Sequence, residues 1–123
     1  MSRRVLDVGN CDMDHHSISA MLRDQFQAEV IRAHGPLDAL AAVRGMAFDL
    51  IVVNRKLDQD YSDGLEVIKL LKQAPDTAHL PVMLITNYPE SQEEAVAAGA
   101  EYGFGKKSLH TAETRERLAR FLA

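Results

Sequence analysis

Cysteine is nearly absent: Cys11 is the only one, which excludes an internal disulfide and fits a reducing compartment. Long apolar runs are absent too. The longest, Leu80 to Ile85, is interrupted by Pro81, and nothing approaches the roughly 20 residues of a membrane span. Met1-Ser2-Arg3-Arg4 leads straight into a short strand-like segment rather than the apolar core of a signal peptide. Basic charge is in deficit, with 14 Lys+Arg against 18 Asp+Glu and a net charge of −4. A phosphate-backbone binder needs a basic face, so nucleic acid is not an expected partner. There is no low-complexity tract, no internal repeat and no obvious linker. One cytoplasmic domain spanning residues 1–123, off the membrane, is the expectation.

What is present is the balance of a globular protein able to bury a core: 123 residues, 46% hydrophobic and 26% charged. Short apolar runs recur at Val5 to Val8, Glu29 to Ala33, Leu50 to Val53, Val82 to Ile85 and, more weakly, Tyr102 to Phe104. Runs of this length, rich in Val and Ile, read as buried strands. Helical spacing fills the gaps. Ile18, Met21, Leu22 and Phe26 form one face; Leu37, Leu40 and Ala41 form another after Gly35-Pro36. Val67, Ile68 and Leu71 share a face within Gly64 to Gln73. Ser91-Gln-Glu-Glu94 has the form of a capping box for a helix ending near Gly99. A last helix from about Thr111 carries Leu118, Phe121 and Leu122.

Five strand–helix alternations imply a parallel sheet with helices on both faces, because each crossover is right-handed. The expected fold is an α/β, five-stranded doubly wound sheet of order 2-1-3-4-5, a flavodoxin-like three-layer sandwich. Its site lies beyond the carboxyl ends of the strands. That places Gly9 to Asp12, Asn54 to Leu57, Thr86 with Asn87, and Gly105 to Lys107 together.

These residues carry a resemblance. Phe48-Asp-Leu-Ile-Val-Val-Asn54, Asp63-Gly-Leu-Glu66, Pro81-Val-Met-Leu-Ile-Thr86 and Gly99-Ala-Glu101 followed by Lys106 resemble, in this order, a response-regulator receiver domain. The similarity covers nearly all of the chain. It implies an aspartate ending the third strand, which takes a phosphoryl group from a histidine kinase; here that position is Asn54. It also implies an acidic pair after the first strand that holds Mg²⁺. The pair falls on Gly9 and Asn10, or on Asn10 and Cys11, and neither choice supplies a carboxylate. A carboxamide is a far poorer nucleophile than a carboxylate, and a hard cation wants anionic oxygen. No Mg²⁺ or other cofactor is therefore expected. Thr86 matches the hydroxyl residue of the family and Lys106 its lysine, which is left with no matched acid. One local role for Lys106 is a bond to the Asn54 amide oxygen or to a loop carbonyl. The aromatic three residues before the lysine falls on Gly103, between Tyr102 and Phe104. Lys107 stands where receivers carry proline. The loop from Leu57 to Gly64 is longer than usual and the stretch from Thr86 to Gly99 shorter.

The resulting expectation is a pseudo-receiver: not an enzyme, but a signalling domain of two-component type acting by phosphorylation-independent protein–protein contact. Its partners would dock on the face of the fourth helix, fifth strand and fifth helix. The sequence does not indicate its oligomeric state. The alternatives are an active phosphorelay receiver with unusual acceptor chemistry, or a small-ligand or metal module at Gly9 to Asp12. Cys11-Asp-Met-Asp-His-His16 contains ligand types but matches no closed zinc spacing, so no metal is expected there. Asp14 is read as the cap of the first helix. Asp58, Asp60 and Asp63 are read as solvated or capping, and Tyr61 as either a partner contact or packed on its own domain. Asp7, inside the first strand, needs a buried partner that the sequence does not name.

Overall fold

The computed structural model describes residues 2–123. Five parallel strands, β1 (Arg4–Val8), β2 (Glu29–Ala33), β3 (Leu50–Asn54), β4 (Val82–Ile85) and β5 (Glu101–Phe104), are ordered β2-β1-β3-β4-β5. Between and after them run α1 (Asp12–Phe26), α2 (Pro36–Gly45), α3 (Gly64–Gln73), α4 (Pro89–Ala97) and α5 (Ala112–Leu122). The doubly wound flavodoxin-like architecture read from the sequence is the one observed.

The strand alternation sorts the core into two layers. Leu6, Val8, Ile51, Val53, Val82 and Leu84 pack on α2, α3 and α4 through Ala39, Val67, Ile68, Leu71 and Ala95. The intervening Val5, Leu50, Val52, Met83 and Ile85 pack on α1 and α5 through Ile18, Met21, Leu22, Leu118 and Leu122. Both faces of the central strands are covered, which is why these segments read as continuous apolar runs.

Several local readings change. The buried face of α2 is Ala39, backed by Leu40, Ala42 and Val43, whereas Leu37 is 83% exposed. Pro36 starts the helix one turn so placed that Leu37 faces water, a rotation that spacing within so short a segment does not fix. α4 begins at Pro89 after N-cap Tyr88, so Ser91 lies inside the first turn and is not a cap. The helix ends where Gly99, at φ 107°, turns the chain into the left-handed region. Asp14 likewise lies inside α1; the N-cap is Cys11, with no side-chain capping bond.

The seam between β4 and β5 is irregular. Met83 aligns with Glu101 but Ile85 with Phe104, so three steps on β5 span two on β4. This bulge explains Gly103: a Cβ there would sit 2.2 Å from the Leu84 carbonyl oxygen. Gln92 of α4, 2% exposed, fills the interrupted rung. Its Nε2 donates to Leu84 O at 3.0 Å and Thr86 O at 3.3 Å, and its Oε1 accepts from Gly103 N at 2.8 Å.

Candidate functional site

The carboxyl ends of β1, β3, β4 and β5 converge as the strand order requires. Asn54, Thr86 and Lys106 line one cavity of about 260 Å³ with Arg55, Lys56, Ile85, Asn87 and Tyr88. Among the described residues, this lining holds three cationic side chains and no carboxylate. Arg55 stacks its guanidinium 5.1 Å from the Tyr88 ring centre.

Each pocket residue is held by the backbone around it. Asn54 Nδ2 donates to Lys56 O at 2.6 Å and to Gly9 O at 3.3 Å, tying the end of β3 to its own loop and to the end of β1. A carboxylate has no proton to donate to either carbonyl. Buried Thr86 accepts from Tyr88 N at 3.2 Å through Oγ1, fixing the start of α4. Asn87 Oδ1 accepts from Lys107 N at 3.1 Å.

The residues after β1 do not gather in this cavity. Gly9 adopts φ 77°, and a Cβ on it would lie 2.4 Å from Leu57 Cδ2 and 3.2 Å from Leu57 Cα. The position is closed to a side chain by the long loop that follows β3. Asn10 is fully buried and turned beneath the sheet end, where its Nδ2 donates to Asp7 Oδ1 at 2.5 Å. Cys11 is exposed.

The sequence reading left Lys106 without an acid; the fold supplies one. Lys106 Nζ donates to Asp14 Oδ2 at 2.6 Å across 92 residues of chain. That hydrogen bond holds the Asp14 carboxyl below the ordinary carboxylate range, against the opposing effect of its partial burial. Among the described residues Lys106 Nζ takes this carboxylate as its partner, and neither the Asn54 amide oxygen nor a loop carbonyl as the sequence suggested. Nothing local marks the pair, because α1 and the end of β5 meet only once the sheet is assembled.

The other acids around the rim are also committed. Arg32 of β2 donates to Asp12 Oδ1 at 2.7 Å and to Asn10 O at 2.9 Å. The Asp12 carboxyl is lowered by that hydrogen bond and by the Arg32 charge. Asp58 is not solvated: it pairs with His34 Nδ1 at 3.0 Å and lies 3.8 Å from Arg32. Asp60 closes a turn by accepting from Ser62 N, and Asp63 caps α3 through Leu65 N. Tyr61, 78% exposed, stands free of its own domain. Asp7, unexplained by the sequence, is fully buried on the α1 side, where His15 Nδ1 meets its Oδ2 at 2.6 Å.

On the opposite side of the cavity, Tyr102 is 43% exposed and Phe104 is in the core. Arg117 of α5 stacks 4.6 Å from the Tyr102 ring centre and donates to Gly103 O at 3.1 Å. The bulge thus shifts the outward aromatic from position 103 to Tyr102.

A doubly wound parallel sheet with its polar pocket at the strand ends defines the class as flavodoxin-like. Within that class, the family model described as "Response regulator receiver domain" matches residues 12–119, and the chain belongs to that family, whose members serve two-component signalling. A curated relative, the polar-differentiation response regulator DivK of Brucella anthropi, is 29% identical over 106 residues, covering 83% of this chain and 85% of its own. A putative response regulator from Chloroflexus aurantiacus superposes with a TM-score of 0.84 at 23% identity, over 99% of this chain and 98% of that one. The receiver domain of a sensor histidine kinase from Pseudomonas aeruginosa, solved with a magnesium ion coordinated in its active site cleft, gives a TM-score of 0.78 at 20% identity over 99% and 98%. No helix among the described residues is long and apolar enough to cross a membrane.

Proposed function

We propose that this receiver domain is a pseudo-receiver, a two-component signalling module that works by contact with protein partners and carries no phosphoryl group at residue 54. The observation that carries this reading is the donation from Asn54 Nδ2 to the Lys56 and Gly9 carbonyls. The carboxamide is built into the loop as a donor, a part that an acceptor aspartate cannot play.

The residues present do not fit Mg²⁺. Gly9 has no room for a carboxylate, Asn10 is turned to Asp7, and Asp14 is neutralised by Lys106. A divalent cation would meet three cationic side chains with no anionic oxygen to offset its lost hydration. The domain accordingly uses no metal and catalyses no phosphoryl transfer.

Contact falls to the face of α4, β5 and α5, where Val96 is 44% and Tyr102 43% exposed. Gln92 fastens α4 to the β4–β5 seam and Arg117 fixes Tyr102, which favours a single presented surface over a population shift. Incubation with phosphoramidate and Mg²⁺, read by intact mass, and with beryllofluoride and Mg²⁺, read by amide NMR shifts, tests the proposal. Neither a phosphoryl mass increment nor shifts at residues 54, 86 and 106 are expected. A stable adduct at residue 54 would establish the phosphorelay alternative instead.

A further inference from the structure

A second polar array lies on the α1 side of β1, outside the pocket. Asp7 Oδ2 meets His15 Nδ1 at 2.6 Å, and His15 Nε2 lies 3.4 Å from Ser19 Oγ. The carboxylate is fully buried and the imidazole side chain is 23% exposed. His15 and Ser19 border a groove of about 580 Å³ with Asp12, His16, Arg23 and Arg32. Bonding of Nδ1–H to Asp7 fixes the tautomer that leaves the Nε2 lone pair toward the hydroxyl. Carboxylate, imidazole and hydroxyl therefore follow one another through the atoms that a general-base relay requires.

Packing does not demand this array. Asp7 shares its face of the sheet with Val5, Leu50 and Val52, positions that well-packed apolar residues often fill with a neutral or favourable effect on stability; its other oxygen accepts from buried Asn10 Nδ2. Ser19 also departs from the usual habit of a helical serine. Ser17, on the same helix, bonds back to Met13 O at 3.2 Å, while Ser19 turns to the imidazole.

We propose that Ser19 is an acyl-acceptor site, activated by His15 and Asp7, for activated esters and thioesters that enter the groove. Ser19 Oγ bonds to the acyl carbon and its proton passes to His15 Nε2. The bond from acyl carbon to leaving oxygen or sulfur breaks, and the leaving group departs with the electron pair and takes the proton from His15. Asp7 balances the transient imidazolium. The backbone N–H groups of α1 around Ser19 are spent in the helix, so no paired donors stabilise the oxyanion. The expected outcome is one stable acyl group per chain, not rapid turnover.

The test is p-nitrophenyl acetate added to the intact protein, with acetylation followed by peptide mass spectrometry. Ser17 is an internal control: it is more exposed than Ser19 but has no base. General-base assistance contributes about 10²–10⁴-fold, and with a 3.4 Å contact the expected Ser19 rate is about 10²-fold that of Ser17, the low end of that range. His15→Gln keeps a donor for Asp7 and should lower the Ser19 rate to the Ser17 level, with circular dichroism confirming the fold. Equal labelling of the two serines, acetylation of neither, or an unchanged Ser19 rate in folded His15→Gln overturns the proposal. The comparison of Ser17 with Ser19 in the unaltered protein decides even where the variant fails to fold. None of these outcomes bears on Asn54, so this site and the pseudo-receiver reading fail separately.

Discussion

Replacing Asn54 by aspartate restores the acceptor residue type of the receiver family, and the structure predicts that it damages the fold instead. The carboxamide donates at 2.6 Å to Lys56 O and at 3.3 Å to Gly9 O. Aspartate removes both donors and sets an anion against two carbonyl oxygens. Losing two neutral hydrogen bonds at a half-buried site costs about 1–3 kcal/mol. Repulsion between carboxylate and carbonyls adds about 1 kcal/mol, and attraction to the cationic side chains lining the cavity offsets a similar amount at effective surface dielectric. The net expectation is about 2 kcal/mol of destabilisation, or roughly 6–10 °C in Tm for a domain of this size. Asn54→Ala, which loses the bonds without gaining charge, should fall within about 1 kcal/mol of the aspartate variant. Urea and thermal unfolding followed by circular dichroism measure both. The same Asn54→Asp protein should remain unlabelled by phosphoramidate and Mg²⁺, because residues 9, 10 and 11 still supply no carboxylate and Asp12 is bound to Arg32. An aspartate variant as stable as the parent, or one labelled efficiently in a Mg²⁺-dependent way, would refute the reasoning.

Three further expectations follow from the same geometry. Gly9→Asp combines a left-handed backbone with a Cβ 2.4 Å from Leu57 Cδ2 and should lose about 2–4 kcal/mol in denaturant titration; Leu57→Ala carries its own cost as a core truncation, but in that background Gly9→Asp should cost less than in the parent, since the nearest atom is cleared. The Asp14 carboxyl is held low by Lys106, so the pair contributes stability above the ordinary carboxylate pKa of about 3.9 and loses it as pH falls through the lower folded value. Parent and Asp14→Asn should therefore differ at pH 7, by well under about 1 kcal/mol for so exposed a pair, and converge in urea melts at the acid end. Gln92→Ala strips the bulge of three buried hydrogen bonds and should cost about 2–4 kcal/mol, with hydrogen exchange at the Gly103 amide rising more than at β1 amides.

The interrupted rung at Gly103 shows where reading along the chain stops. The sequence places a glycine where the family has an aromatic, but a bulge is a property of two strands together. Its cause, the approach of Leu84 O to position 103, involves a residue on another element. The partner that repairs the rung, Gln92, reads in sequence as one more polar residue of a short helix. Leu37 shows the same limit at smaller scale: its spacing with Leu40 is helical, yet which side of α2 meets the sheet depends on how the helix is docked.

The strands were legible because burial on both faces writes a run of Val, Ile and Leu into consecutive positions. The helices were legible because one-sided burial imposes a period near 3.6. Strand–helix alternation then leaves little freedom in topology, and topology alone brings Asn54, Thr86 and Lys106 to one end of the sheet. Those signals are local, carried by residues a few positions apart. Charge pairing is not. Lys106 finds Asp14 across 92 residues, Arg32 finds Asp12, and Asp7 finds His15, because closure of the sheet sets distances on which the order of residues is silent. The sequence by itself determined the fold and the absence of carboxylates at residues 9, 10 and 54. The tertiary structure decided what replaced them: a loop closed over Gly9, an amide tied to two carbonyls, and a lysine already paired with a carboxylate on α1.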